Sequence, residues 1–409
     1  MSGEALREWK GGWPLVLTAV FGTTAVGAHV YSLGVMMKPL SEAFGWSRAG
    51  ISAATMITSL ATIALIPAIG LLVDKFGPRR VALIGVPLSA LAMGLVAFSM
   101  PSMPLWMGAW ALYATFAVTL NPVVWVTGVA PAFKASRGLA FGIAVSGSGV
   151  SAAIYPILAL WLFSHFGLRG VYPGLGLATL LVLFPMVVFL FKPPRIDKTA
   201  PEQPAAPAGA WGWTAARAVR TFSFWRIAIL MAVAAMVTSG VITHLPPLLT
   251  DGGLTPGQAV GVAAIMGPSV LAGRWLGGWL LDRVHGRWVA FASLLAPAVG
   301  CVMLLNYDGD YSRAVIATLL VGLASGVEGD LLPFLLSRYF GPRHFGAIYG
   351  MGMAMFAGGY ALAPMAAGAL FDATGSYDLT LSMLAILLTG AALLAISLGR
   401  YPPERDEEP

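Results

Sequence analysis

The pattern Gly70-x-x-x-Asp74-Lys75-x-Gly77-x-Arg79-Arg80 returns as Gly278-x-x-x-Asp282-Arg283-x-x-x-Arg287, with both the glycine and the aspartate displaced by 208 positions. A chain that repeats its landmarks at a constant offset is built to fold twice into one layout. The offset persists: Pro39 and Leu40 answer to Pro247 and Leu248, Gly45 to Gly253, Gly138 and Gly142 to Gly346 and Gly350, Pro156 to Pro364, and Gly167 to Gly375. No net insertion separates the halves between about residues 39 and 167, so each helix of one half has a counterpart in the other.

What is repeated is a membrane unit. With 58% hydrophobic and 10% charged residues, 409 residues cannot cover themselves with a polar surface, and lipid must take that place. Apolar runs of roughly 20 residues, the length of a spanning helix, lie near 13–37, 48–72, 80–100, 104–130, 138–163, 170–191, 222–248, 257–281, 288–306, 312–336, 345–371 and 379–399. The expected fold is therefore all-α and integral to the membrane, with twelve transmembrane helices in two pseudo-symmetric six-helix bundles. The 49 glycines and 28 prolines fit this reading, because neighbouring membrane helices satisfy the backbone groups they free. A transmembrane barrel would show short alternating segments instead. The first run is too long for a signal-peptide core, so it is read as helix 1. The expected division is an N-terminal bundle over 1–191, a Pro- and Ala-rich linker over 192–220, a C-terminal bundle over 221–400 and an acidic, disordered tail over 401–409.

Orientation follows from the basic residues. With the N-terminus inside, nineteen lysines and arginines fall at inner ends, from Arg7 and Lys10 to Arg400 and Arg405. Only Lys38, Arg48, Arg169 and Arg313 fall outside. The positive-inside rule then puts both termini in the cytoplasm of a plasma (inner) membrane protein. Basic loops against anionic head groups account for the net charge of +6, and no nucleic-acid partner is needed. The single Cys301 permits no intrachain disulfide. No nucleophile with an adjacent base, no Cys/His metal spacing and no phosphate-binding glycine loop occurs, so neither an enzyme nor a cofactor or metal site is expected.

The motif from Gly70 to Arg80 resembles the signature of the major facilitator superfamily between helices 2 and 3. The likeness implies the major facilitator fold, with Gly70, Asp74, Lys75, Gly77, Arg79 and Arg80, the partial second copy at Asp282 and Arg283, and Arg137 forming a cytoplasmic gate. Asp74 would accept hydrogen bonds from a neighbouring helix end or an arginine. A narrower likeness lies in Arg137-Gly-Leu-Ala-Phe-Gly-Ile-Ala-Val-Ser-Gly147, Met37-Lys-Pro-Leu-Ser-Glu-Ala-Phe-Gly-Trp46-Ser47-Arg48, Arg338-Tyr-Phe-Gly341 and Asp372-x-x-Gly375-Ser-Tyr377. These segments are similar to those of monocarboxylate transporters and oxalate/formate-type exchangers. Duplicated carriers place their substrate at the interface between the halves.

Arg274 is the clearest ionisable group well inside an apolar run, displaced only about 7 Å from the centre of its helix at 1.5 Å per residue. An arginine there costs at least about 2.5 to 3.5 kcal/mol. Snorkelling or an ion pair would relieve that cost. Alternatively its planar, permanently charged guanidinium grips a substrate carboxylate, the role that a helix 8 arginine has in the families resembled. Its counterpart at the 208 offset is Ile66, so the duplication does not account for it.

The likeness has two departures. Helix 11 lacks the lysine that holds a second carboxylate in the oxalate exchanger, which favours a monoanion. The helix 1 lysine and the helix 8 acid of animal monocarboxylate transporters are replaced by Tyr31 and Val270, so their proton relay does not transfer. Glu328 and Asp330 on helix 10 are candidates to carry a symported proton, or else partners of Arg338 or Arg137. Asn121 either hydrogen-bonds substrate or, with Pro122, marks a kink. His29 and Tyr31 on helix 1 and Tyr349 and Tyr360 on helix 11 line the cavity or merely pack. His244, at the outer end of helix 7, is read as an interfacial residue or a helix-end partner rather than a proton carrier. The expected function is a monomeric secondary transporter of lactate- or pyruvate-like monocarboxylates, coupled to protons, in a lipid bilayer. An organic-anion exchanger and a transporter-like membrane sensor remain the alternatives.

Overall fold

The computed structural model describes residues 3–133, 135–194, 212–341 and 344–401, with the side chain of Arg137 excepted. The helices are α1 (Gly3–Val26), α2 (Ala28–Phe44), α3 (Arg48–Phe76), α4 (Pro78–Leu95), α5 (Met103–Ala117), α6 (Pro122–Val129), α7 (Arg137–Val145), α8 (Gly147–Phe189), α9 (Ala215–Ala218), α10 (Phe222–Asp251), α11 (Pro256–Leu281), α12 (Gly286–Met303), α13 (Tyr311–Phe340), α14 (Phe345–Thr374) and α15 (Asp378–Ile396). No strand occurs among the described residues.

Among the described residues, eleven continuous elements are long and apolar enough to cross a membrane. One of them, Gly138–Phe189, has 52 residues and turns at Gly167 (φ 65°, ψ −173°). At 1.5 Å per residue it would be more than twice the roughly 30 Å of a hydrocarbon core, so it makes two crossings. The fold is thus all-α, with twelve transmembrane crossings in two six-helix repeats.

The duplication extends to helix boundaries. Starts at Arg48 and Pro256, Pro78 and Gly286, Met103 and Tyr311, and Arg137 and Phe345 are all 208 apart. Gly167 and Gly375 both hold a left-handed φ, 65° and 72°, where a side chain would strain the backbone. Packing repeats as well: α4 lies along α8 in the first half, and α12 along α15 in the second.

The halves differ in continuity. Helix 1 is interrupted at Gly27, helix 4 at Asn121 and helix 5 at Ser146, while α10, α13 and α14 run unbroken through the matching positions. Pro122 explains one break: it has no N–H to give and pushes Asn121 into extended backbone (φ −56°, ψ 144°). The breaks at Gly27 and Ser146 support one another. Thr23 donates to the Ala144 carbonyl at 2.7 Å and Thr24 to the Gly147 carbonyl at 3.1 Å, satisfying oxygens near the α7–α8 break. Helix 1 also begins earlier than its apolar run, since Glu8 accepts hydrogen bonds from the Ala135 and Ser136 amides and so orders a polar turn.

Contacts divide the chain into two compact units. Unit 1 comprises Met1–Asp197, Thr243–Pro247 and Thr255–Gly267; unit 2 comprises Lys198–Ile242, Leu248–Leu254 and Pro268–Pro409. Inside unit 1, one core joins Trp46, Trp106, Trp110, Tyr113 and Tyr172 to Leu33, Met36 and Met37. A second gathers Trp125, Phe133, Val124 and Phe191. Unit 2 buries Leu331, Leu335, Leu336, Ile348, Leu388 and Ala392. Large apolar side chains such as Phe98 and Ile386 stay outside these cores, 80% and 72% exposed, as lipid contact requires. Of the linker read over 192–220, residues 195–211 lie outside the described residues, as does the tail from 402 onward. The linker's far end is anchored in unit 2, where the Trp213 amide donates to the Phe340 carbonyl at 2.9 Å.

Candidate functional site

Two glycines set the separation of α11 and α13. A Cβ on Gly273 would fall on the Leu323 carbonyl oxygen, and one on Gly326 would fall on the Val270 carbonyl oxygen and 2.6 Å from the Arg274 amide nitrogen. Only hydrogen at these positions lets the two backbones meet. The crossing lays the Arg274 guanidinium over Gly329, whose Cβ would stand 3.1 Å from Nη2. Asp330, half-buried, lies within the field of Arg274, and Tyr349 of α14 lies within the field of Asp330. Among the described residues Arg274 nevertheless makes no hydrogen bond and no ion pair within 4 Å. A permanent cation inside a membrane helix therefore keeps its donors free for an acceptor that enters from elsewhere.

Glu328, two residues before Asp330 on α13, is only 5% exposed. Its carboxylate accepts from the Thr238 hydroxyl of α10 at 3.1 and 3.0 Å, and Thr238 Oγ1 lies 2.9 Å from Ser325 Oγ. The next residue, Ser239, donates to the Tyr360 carbonyl of α14 at 2.7 Å, and the Tyr360 phenol lies within the field of Glu328. Arg338 is not the partner of Glu328. It lies over the rings of Phe334 and Tyr401, 5.8 and 5.3 Å from their centroids.

Arg274, Asp330 and Tyr349 thus form one group in unit 2, and Glu328 and Tyr360 a second. His29, Tyr31 and Asn121 belong to unit 1. Thr58 Oγ1 sits 3.1 Å from His29 Nε2, and the His29 ring packs beside Trp110 and Tyr113. Tyr31 lies against Gly27, with Cε2 2.9 Å from where a Cβ would stand. Asn121 Oδ1 accepts from the Val123 amide at 3.1 Å, so it caps the short helix after the break. His244, buried within the Thr243–Pro247 segment of unit 1, lies 3.2 Å from Ser52 Oγ through Nε2.

In the loop motif, Gly70, Asp74 and Lys75 end α3, Gly77 caps it, and Arg79 and Arg80 open α4. Arg79 Nη2 donates to the Val188 carbonyl at 2.8 Å, capping the end of α8. In the second copy Arg283 donates to the Trp279 carbonyl at 3.3 Å and stacks on that indole. Asp74 and Asp282 are exposed and make no hydrogen bond with described residues. The side chain of Arg137 lies outside the described residues.

Thr238, Ser325, Gly326 and Gly329 escape a reading that looks for charges and rings. Ser325, Gly326 and Gly329 signal only smallness beside Glu328, which many packing positions share, and Thr238, 90 residues away, lacks even that.

Residues 19–364 match the family model described as Major Facilitator Superfamily. Among curated proteins, the chain is 28% identical to monocarboxylate transporter 13 of Bos taurus, over 94% of this chain and 88% of that protein. It is 26% identical to monocarboxylate transporter 11 of Homo sapiens (96% and 84%) and 23% identical to the uncharacterized MFS-type transporter YcxA of Bacillus subtilis (93% and 93%). Among solved structures, it resembles a bacterial homologue of the human lysosomal transporter Spinster with a TM-score of 0.68 and 15% identity, over 94% and 93% of the two chains.

Proposed function

The chain belongs to the major facilitator superfamily as a multi-pass membrane transporter, and from that premise we propose that it carries small monocarboxylates of the lactate and pyruvate kind together with a proton. The observation that carries this reading is Arg274, a guanidinium in a spanning helix whose donors have no partner among the described residues. A fork of N–H groups in low dielectric is the donor set that a carboxylate fits. The relatives named monocarboxylate transporters support the substrate class.

A single fixed cation favours a monoanion, since α14 carries no lysine to hold a second carboxylate. Asp330 acts as an internal counter-charge that arriving substrate replaces beside Arg274. Tyr349 and Tyr360 from unit 2, and Tyr31, His29 and Asn121 from unit 1, are the further substrate contacts we propose. The loops at Asp74 and Asp282 serve as cytoplasmic gates, with both termini inside a plasma membrane and the monomer as the working unit. An anion accompanied by one proton moves without net charge, through alternating access.

Uptake of labelled lactate into proteoliposomes tests this. An inward pH gradient is expected to drive accumulation without any anion inside. Uptake that ignores the gradient and requires internal anion would show an exchanger. Binding without uptake would show a sensor.

A further inference from the structure

The buried polar chain between α10 and α13 has a proton count that decides which of the two acids carries the proton. Thr238 Oγ1 lies 3.1 and 3.0 Å from the Glu328 carboxylate oxygens and 2.9 Å from Ser325 Oγ. Ser325 Oγ lies 2.9 Å from the Val321 carbonyl oxygen. The chain therefore runs carboxylate, hydroxyl, hydroxyl, carbonyl. Both of its ends only accept when Glu328 is ionised, and two hydroxyls supply two hydrogens for three contacts. One contact is then oxygen against oxygen with nothing between, inside a region where Glu328 is 5% and Thr238 9% exposed. A proton on Glu328 removes the deficit. The acid then donates to Thr238, Thr238 to Ser325 and Ser325 to the Val321 carbonyl.

Charges around Glu328 do not replace that proton. The titratable group facing it from α14 is the Tyr360 phenol, α10 presents hydroxyls, and Asp330 on its own helix faces Arg274 and Tyr349 instead. No cation lies within ion-pair distance of Glu328 among the described residues.

Resting on the proton-coupled reading above, we propose that Glu328 is the proton carrier and that Thr238 and Ser325 are positioning residues whose hydroxyl chain is complete only when Glu328 holds its proton. Binding and release of the proton then reverse the donor sense of the Glu328–Thr238 bond between α10 and α13, and complete or open the hydroxyl chain beyond it. Ser239, bonded to the Tyr360 carbonyl, passes any shift of α10 to α14.

Infrared difference spectra of the full chain in liposomes, taken between acid and alkaline buffer, test the site without transport. The wild type is expected to lose a protonated-carboxyl stretch on alkalinisation. That band is absent in Glu328→Gln, kept in Asp330→Asn, displaced in Thr238→Val and returned to its place in Thr238→Ser. In flux assays Glu328→Gln, whose amide donates to Thr238 as the acid does, is expected to keep lactate–lactate exchange and lose accumulation driven by the pH gradient. Thr238→Val should move the pH midpoint of uptake, and Thr238→Ser should restore it. A band that survives in Glu328→Gln, or gradient-driven accumulation by that variant, would overturn the assignment. If wild-type flux ignores the gradient while the band behaves as described, the symport reading falls and the proton on Glu328 stands.

Discussion

At the residue scale the consequential side chain is Arg274, which lies over Gly329 and in the field of Asp330 without bonding to either. A charge-assisted hydrogen bond contributes about 1.5 to 3 kcal/mol, so Arg274→Ala should weaken lactate binding roughly ten- to a hundredfold. Arg274→Lys keeps the charge but loses the fork, and it should fall short of wild type. Equilibrium binding to the purified protein measures both, and unchanged affinity would remove Arg274 from the site. His285, in the loop before α12, gives a pH prediction. Burial, with Arg287 and Arg338 nearby, holds its pKa below the ordinary 6.5. The unfolded chain then takes up a proton that the folded one refuses, so stability present above pH 6.5 is lost as pH falls below it. His285→Phe retains a ring to stack on Tyr401, 3.9 Å away, and should flatten the acid side of a thermal-stability profile in detergent.

At the scale of elements, the site depends on how closely α11 and α13 cross. A valine at Gly326 would be driven into the Val270 carbonyl and the Arg274 amide, which are backbone and cannot turn aside. Overpacking of this kind costs about 1 to 3 kcal/mol. Gly326→Val should therefore lower thermal stability and weaken lactate binding together, whereas Arg274→Ala should weaken binding alone. This crossing separates what is legible in the sequence from what is not. Arg274 is visible there because charge in an apolar run is rare, and Glu328 and Asp330 for the same reason. Thr238 and Ser325 are not, because a hydroxyl in a membrane helix ordinarily bonds to its own helix, as Thr318 does to the Ala314 carbonyl. Arg338 as a partner of Glu328 was equally open in the sequence. It is ruled out by where α13 points those two side chains, ten residues apart.

At the scale of the whole molecule, the duplication makes paired predictions possible. Gly167 and Gly375, 208 positions apart, both hold a positive φ at the ends of corresponding helices, with ψ −173° at Gly167 and 3° at Gly375. Forcing a non-glycine residue into the left-handed helical region of Gly375 costs about 1 to 2 kcal/mol, and the region Gly167 holds is open to glycine almost alone. Gly167→Ala and Gly375→Ala, made separately, should each lower thermal stability, Gly167→Ala by at least as much, and a loss confined to one would deny that both corresponding ends require glycine. The departures from symmetry are as informative as the repeats. Breaks at Gly27, Asn121 and Ser146 occur only in the first half among the described residues, while the buried Glu328 and the intramembrane Arg274 lie in the second.

The sequence by itself determined the twelve crossings, the duplicated layout and the presence of a cation within the membrane. Spanning length, helix period and the cost of charge in hydrocarbon act locally along the chain, and one dimension is enough to read them. Tertiary structure alone decided which groups meet. It brought Arg274 and Tyr349 to Asp330, gave Thr238 and Ser325 to Glu328, and turned the Asn121 side-chain carbonyl oxygen to capping its own broken helix. Those choices turn on backbones approaching to within a hydrogen atom at Gly273 and Gly326, and on side-chain directions around helices far apart in sequence.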